Sequence, residues 1–387
     1  MCAETVSTIY NVSLCTALPL MLFFGTYFLF ARTPGKAIFE NYLHSRRIMG
    51  IALLLLAVNY SVHFFFGIRF ENVNAAILMN LSTYFLCYWL FSSALITLLD
   101  RFYITRRRLR SHLCLWLSFS VLSGAILFLL PDGAMQKAGL AAMTAWLIGY
   151  GLFLVRRLLL AYHRAVRIFN DTHSDDIGSY IKWMSVFTYW AIIFGVGCGL
   201  LTFLPGNWIF LWILSSIPFY IYLFYCYYNY LLFYEQVESA IECEVSAEED
   251  ILCDIDHGEI QAQETPSWHA DIAERIMAWV GTEGYLRHGL TIRELSDLLH
   301  TNRTYLSEYI RTTYNMSFRD WIASLRIEYA KRMLVRYPRL TVADISEKSG
   351  FQSPSHFIRL FRENMNCSPA KWRKAEIMQQ EIQAIGE

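Results

Sequence analysis

Charge is what this sequence has least of. Only 17% of its 387 residues are Asp, Glu, Lys or Arg, while 55% are hydrophobic. Ordinary soluble domains hold roughly 25% charged and 45–50% apolar residues. Carboxylates are scarcest toward the N-terminus: residues 1–234 hold 8 Asp+Glu and 16 Lys+Arg, whereas residues 235–387 hold 25 and 17. That split excludes a single soluble globule and a wholly disordered chain. Paired cysteines are lacking too. The 9 cysteines include no CxxC, and five of them fall inside long apolar runs, which excludes a disulfide scaffold. Cys243, Cys253 and His257 match no zinc spacing, so no metal site is expected. An HExxH, a nucleophile–base motif and a Gly-rich phosphate loop are all missing. No catalytic residues and no cofactor are therefore expected.

What fills the first 234 residues is seven apolar runs, at about 9–31, 48–68, 75–99, 111–130, 137–155, 183–204 and 207–234. As helices, each is long enough to cross a hydrocarbon core of about 30 Å. Pro131-Asp132-Gly133 and Pro205-Gly206-Asn207 are turn signatures between the fourth and fifth and the sixth and seventh runs. The connections after runs 1, 3 and 5 hold 14 Lys+Arg, and those after runs 2, 4 and 6 hold 2. Basic loops stay inside, so the N-terminus is expected outside and residues 235–387 in the cytoplasm. Six or eight spans would spoil the alternation. The span interiors contain no Asp, Glu, Lys or Arg, which argues against an ion-coupled transporter or pump. The polar residues left include Asn59 and His63, four apart on one face of the second span, and Asn80 and Tyr84 in the third. They are candidates for an intramembrane ligand pocket or for interhelical packing, and interhelical hydrogen bonding is the plainer reading. The outer loops are too short for a receptor domain. A signal therefore has to be a small apolar ligand in the bundle, the lipid bilayer itself, or another membrane protein.

Residues 235–267 hold eleven carboxylates and no Lys or Arg, the composition of an acidic flexible linker. From 268 onward the pattern is short amphipathic helices with strong caps. Ile272, Ile276, Trp279 and Val280 form one helical stripe. Thr291-Ile-Arg-Glu294 is a capping box, followed by Leu295, Leu298 and Leu299. Asn302 caps a second helix with Leu306, Tyr309 and Ile310 inside, and Ser317 opens a long helix through about Arg336. The unit then repeats: a cap at Thr341-Val-Ala-Asp344, a turn at Gly350-Phe351, and Ser353-Pro354 as N-cap and first helical residue. Ser368-Pro369 opens a last short helix. Two helix-turn-helix units joined by one long helix can place a helix in each of two successive major grooves, roughly 34 Å apart. Residues 290–374 carry 15 Lys+Arg and 8 Asp+Glu, a surplus that suits phosphate contacts.

The residues Thr304-Tyr-Leu-Ser-Glu-Tyr-Ile310, Leu325-Arg326 and the following helix, Gly350-Phe-Gln-Ser-Pro-Ser-His-Phe-Ile-Arg-Leu-Phe-Arg362 and Ser368-Pro-Ala-Lys-Trp-Arg373 carry a further signal. On them, residues 290–374 resemble the AraC/XylS-type DNA-binding domain. The family pattern G-F-x-S-x-S-x-F-x-R-x-F-[KR] is met at every fixed position. The resemblance covers about a quarter of the chain. It implies that Arg303, Thr304, Ser307, Glu308 and Arg311 face DNA from the first unit. From the second it implies Gln352, Ser353, Ser355, His356, Arg359 and Arg362. Four features depart from the family: Ser296 and Ser346 stand where it often has Ala, Asn315 and Asn366 where it often has Gly, His300 at a common turn glycine, and Glu308 where members often carry a base- or phosphate-reaching side chain.

The expected chain is all-α. It has a seven-transmembrane helix bundle over 1–234, an acidic linker over 235–267, and a cytoplasmic tandem helix-turn-helix domain over 268–387. Its expected role is a membrane-embedded, one-component transcription regulator in a bacterial cytoplasmic membrane. It would bind double-stranded DNA, sense or anchor through the bundle, and be able to form a homodimer. Two rival readings stay open. One is a membrane transporter or lipid-modifying enzyme with an appended regulatory domain. The other is a membrane scaffold whose helical domain binds protein.

Overall fold

The computed structural model describes residues 3–33, 36–174, 181–201, 209–256 and 267–386. Among these the chain is helical throughout, without strands, and one isolated antiparallel bridge joins His173 to Thr291. It divides into two compact units: Met1–Ala165 with Tyr180–Glu238, and Val166–Ser179 with Ser239–Glu387.

The first unit contains α1 (Ala3–Phe30), α2 (Glu40–Phe66), α3 (Val73–Thr97), α4 (Arg106–Leu129), most of α5 (Ala134–Thr172), α6 (Trp183–Leu201) and the first part of α7 (Ile209–Asp256). Gly67 ends α2 in the left-handed conformation, and a one-turn helix, Ile68–Glu71, follows. Asn72 and Thr105 cap α3 and α4. The Pro131–Gly133 signature separates α4 from α5 as expected. Among the described residues, six helical segments are long and apolar enough to cross a membrane, on α1 to α5 and on Ile209–Leu232 of α7. The remaining expected span, 183–204, coincides with α6 and is not one of the six. Its last residues and Pro205-Gly206-Asn207 lie outside the described residues. Outer faces stay apolar: α4 buries only 22% of its apolar stretch, and Phe65, Leu117 and Leu129 are exposed. Apolar surface on this scale marks an interface with lipid or protein.

Two helices overrun their expected ends. From the sequence, the fifth span stops near 155, yet α5 is 39 residues long, about 58 Å at 1.5 Å per residue. No Gly or Pro interrupts residues 156–172, and Leu158, Ala165 and Phe169 keep a buried stripe going. Likewise α7 continues to Asp256, through the stretch expected to be a flexible linker from 235. That stretch has no Gly or Pro, and Glu and Ala are good helix formers. The backbone therefore has nothing to stop it. His257, expected with Cys243 and Cys253 to bind no metal, lies outside the described residues, as does the rest of the linker to Pro266.

The second unit contains α8 (Ser267–Gly281), α9 (Ile292–Leu298), α10 (Arg303–Tyr314), α11 (Phe318–Arg336), α12 (Val342–Lys348), α13 (Pro354–Met365) and α14 (Pro369–Gly386). The last helix has 18 residues and is longer than the short helix expected, because no breaker occurs before Gly386. Two apolar cores lie along α11. Trp321 and Ile322 join the core of α8, α9 and α10, and Ala323, Ile327, Ala330 and Leu334 join that of α12 and α13. Residues 166–174 also pack in this unit. The Ser174 N–H donates to the Leu290 carbonyl at 3.0 Å, and Arg319 Nη1 donates to Asn170 Oδ1 at 2.8 Å.

Arg326, in the middle of α11, is only 2% exposed. Its Nε donates to the Tyr285 carbonyl at 2.8 Å and its Nη2 to the Arg287 carbonyl at 2.7 Å. The guanidinium also lies over the Phe351 ring, 6.0 Å from its centroid. The loop it holds touches the turn of the second helix-turn-helix, since a Cβ on Gly350 would clash with the Leu286 carbonyl oxygen. At φ +81° Gly350 is also in the region that only glycine enters freely.

Candidate nucleic-acid interface

Each helix-turn-helix is built from the same local chemistry. Thr291 accepts from the Glu294 N–H while Glu294 reaches back to the Thr291 N–H, and Thr341 and Asp344 repeat that box. In the second box the Thr341 hydroxyl and N–H hold the Asp344 carboxyl below the usual carboxylate range. Both first helices end in a Schellman turn. Thr301 N–H donates to Ser296 O at 3.0 Å and His300 N–H to Asp297 O at 3.2 Å. In the second helix-turn-helix Phe351 N–H donates to Ser346 O at 3.1 Å and Gly350 N–H to Glu347 O at 3.0 Å. His300 thus takes the glycine's place at φ +51°, and the first turn is as regular as the second. A side chain there carries strain, so His300→Gly is expected to stabilise the unit by about 0.5–1 kcal/mol. A thermal melt should show Tm rising by a few degrees; a fall would mean the imidazole makes a compensating contact. Asn315 and Asn366 end α10 and α13 at φ +54° and +56°, the left-handed role expected of them.

The second helices carry the candidate residues. They start 51 residues apart, at Arg303 and Pro354, so Thr304, Glu308 and Arg311 correspond to Ser355, Arg359 and Arg362. Within each helix the three lie at i, i+4 and i+7, on one face, and all six are exposed. The faces differ in charge. The face of α10 sets Glu308 against Arg311, whereas that of α13 carries two arginines. Glu363 stands 4.0 Å from Arg359 Nε, an exposed contact of little energetic weight. Gln352 is exposed just ahead of α13. Ser353 and His356 are half-buried and already employed: Ser353 Oγ accepts from the His356 N–H at 3.2 Å, and the His356 ring meets Phe351 edge-on at 6.1 Å. Arg303 and Ser307 are half-buried too. Asp171, from the 166–174 segment, is within electrostatic reach of both Arg303 and Arg311.

Four polar candidates of the first unit also come together. Asn59 Nδ2 donates to Thr83 Oγ1 at 3.1 Å, and His63 Nε2 pairs with Asn80 Oδ1 at 2.9 Å. These are hydrogen bonds between α2 and α3. Tyr84 lines the cavity beside them. The residue that sequence reasoning missed is Arg326. Its signal was its place in the buried i+4 series Ile322, Arg326, Ala330 and Leu334, a stripe in which a charge needs dedicated acceptors.

Residues 295–375 match the family described as "Helix-turn-helix domain". Curated relatives are similar in part. The uncharacterized HTH-type transcriptional regulator YobQ of Bacillus subtilis is 38% identical over 90 residues, 23% of this chain and 36% of that protein. The virulence regulon transcriptional activator VirF of Yersinia enterocolitica is 30% identical over 95 residues, 24% and 34% of the two chains. The Msm operon regulatory protein of Streptococcus mutans is 29% identical over 85 residues, 22% and 30%. The chain spans about a third of the length of these relatives. Among solved structures, the DNA-binding domain of AdpA in complex with a target DNA is similar at 21% identity and TM-score 0.26, over 29% of this chain and 96% of that one. Residues 295–375 are thus similar to a helix-turn-helix domain that transcriptional regulators carry.

Proposed function

We propose that this chain is a membrane-embedded, one-component transcription regulator of the AraC type, not an enzyme. The observation that carries the reading is the exposed face of α13, where Ser355, Arg359 and Arg362 line up beside Gln352 in a unit whose neighbour along α11 repeats its fold. An arginine at the centre of such a face can offer two donors to guanine O6 and N7, and Gln352 can pair with adenine. Arg362 and Arg311 suit phosphate. Glu308 can accept from cytosine N4 but repels phosphate, so α13 supplies most of the affinity. Six apolar helices, with α6 taken as the seventh span, their exposed apolar faces and the alternating loop charge support a bundle in a bacterial cytoplasmic membrane with the C-terminal unit inside. The bundle senses or anchors. A signal that changes its packing moves or pairs the DNA-binding units. One unit can fill two grooves, so a homodimer is optional.

The test is in-cell footprinting of the full chain across the genome, with Arg359→Ala as control. Discrete sites that vanish in the variant are the expected result. If a correctly inserted chain and the free 268–387 fragment both leave no footprint, the DNA reading fails and the protein-binding scaffold takes its place. The reading also makes Asp171 a competitor of phosphate for Arg303 and Arg311. Asp171→Asn is expected to tighten DNA binding severalfold at low salt, with the gain shrinking as ionic strength rises. Anisotropy titrations of the full chain at two salt concentrations measure this, and unchanged affinity at both would remove the competition.

A further inference from the structure

Two cavities in the first unit adjoin, and their linings are opposite in character. The smaller, about 40 Å³, is lined by Tyr10, His63, Arg69 and Asn80 among others. Among the described residues, Arg69 is the only Lys or Arg that lines it, and no carboxylate does. The larger, about 110 Å³, is lined by residues such as Leu56, Phe91, Leu95, Leu154 and Phe219 and, among the described residues, by no charged side chain. Tyr60, Tyr84 and Trp212 line both. From His63, in the polar cavity, to Met49, at the far end of the apolar one, is fourteen residues of α2, roughly 21 Å.

The polar end has an unmet need. His63 is 3% exposed. Its Nε2 pairs with Asn80 Oδ1; a carbonyl oxygen only accepts, so Nε2 carries the proton and Nδ1 is left as an acceptor. Nδ1 is buried and has no hydrogen-bond partner among the described residues. A buried acceptor without a donor is costly, and a cation without a carboxylate beside it is a ready anchor for one. A carboxylic acid meets both needs at once: one oxygen accepts from the Arg69 guanidinium while the acid proton lies between the other oxygen and Nδ1. An ester offers no proton, and an alcohol offers no second oxygen.

We propose that the first unit binds one long-chain carboxylic acid, its head group between Arg69 and His63 and its acyl chain along the apolar cavity beneath. This would be the apolar signal that the regulator reads, and the proposal rests on the membrane reading of the first unit.

The test places the full chain in nanodiscs of zwitterionic phosphatidylcholine with a photoactivatable hexadecanoic acid and maps the label by mass spectrometry. Labelling should fall on cavity-lining peptides of α2, α3 and α7. Hexadecanoic acid should compete about tenfold better than hexadecanol or methyl hexadecanoate. Arg69→Ala should abolish that preference and Arg69→Lys should retain it. Gly151→Leu should abolish labelling without touching the head site, because a Cβ there meets only Tyr88 ring carbons at 3.5 Å and a longer side chain grows into the tail cavity. Equal competition by the ester, labelling confined to the outer faces of the helices, or labelling indifferent to Gly151→Leu would each overturn the proposal. Loss of label when phosphatidylglycerol is added would reassign the site to a phospholipid head group and overturn it as well. A chain recovered soluble and free of lipid would instead overturn the membrane reading beneath it.

Discussion

Arg326→Ala is expected to destabilise the second unit by about 3–5 kcal/mol, a large share of the 5–15 kcal/mol that holds a typical domain. The guanidinium is buried and supplies donors to the Tyr285 and Arg287 carbonyls. Removing it strands the buried Tyr285 carbonyl at about 1–3 kcal/mol, leaves the part-buried Arg287 carbonyl without its donor and opens a cavity. The loop it anchors also packs against Gly350, so the damage reaches the second turn. Thermal unfolding of the 268–387 fragment by circular dichroism should show Tm lower by roughly 15 °C or more. Arg326→Lys should fall between, since an ammonium cannot reproduce the planar fork. Below its own Tm the variant should still bind DNA with full affinity, which separates a folding role from a contact. An unchanged Tm would mean that the loop holds itself.

Arg359→Ala should act in the opposite way, leaving Tm within about 0.5 kcal/mol of equivalent stability while weakening DNA binding by about 1–3 kcal/mol. That is roughly a 5- to 150-fold change in Kd. The loss should concentrate on one base position, measured by anisotropy against a panel of single-base variants of the footprinted site. Arg362→Ala should instead weaken all sequences alike and reduce the salt slope by about 1. If Arg359→Ala weakens every sequence equally, the residue contacts phosphate and the base-reading role passes to Gln352 and Ser355.

The helix starts were legible because their signals are local. A capping box is settled within four residues, and Thr291-Glu294, Ser317-Asp320, Thr341-Asp344 and Ser353 all cap where the sequence says. Helix ends were legible only where a breaker stands. Gly67, Asn315 and Asn366 stop their helices in the left-handed conformation, while α5, α7 and α14 run on because nothing in residues 156–172, 235–256 or 369–385 forbids it. The pairing of Asn59 and His63 with α3 was foreseeable, since polar groups in an apolar span must find each other. The acceptors of Arg326 were not, because they come from a loop about forty residues earlier in the chain. The charge contrast between α10 and α13 was legible, since the 51-residue offset that aligns Glu308 with Arg359 stands in the sequence itself.

The helix α11 contributes side chains to a core on each of its flanks and has no Gly or Pro along its 19 residues. It cannot bend or slide without emptying one core or the other. On the proposed reading, any mismatch between the two reading helices and the pitch of a particular duplex must then be absorbed by the nucleic acid. Deforming a duplex costs energy that depends on its sequence, least at pyrimidine–purine steps. A stiff strut inside the protein thereby becomes a preference for bendable base steps between the two contacted boxes, exercised on bases that no side chain reaches.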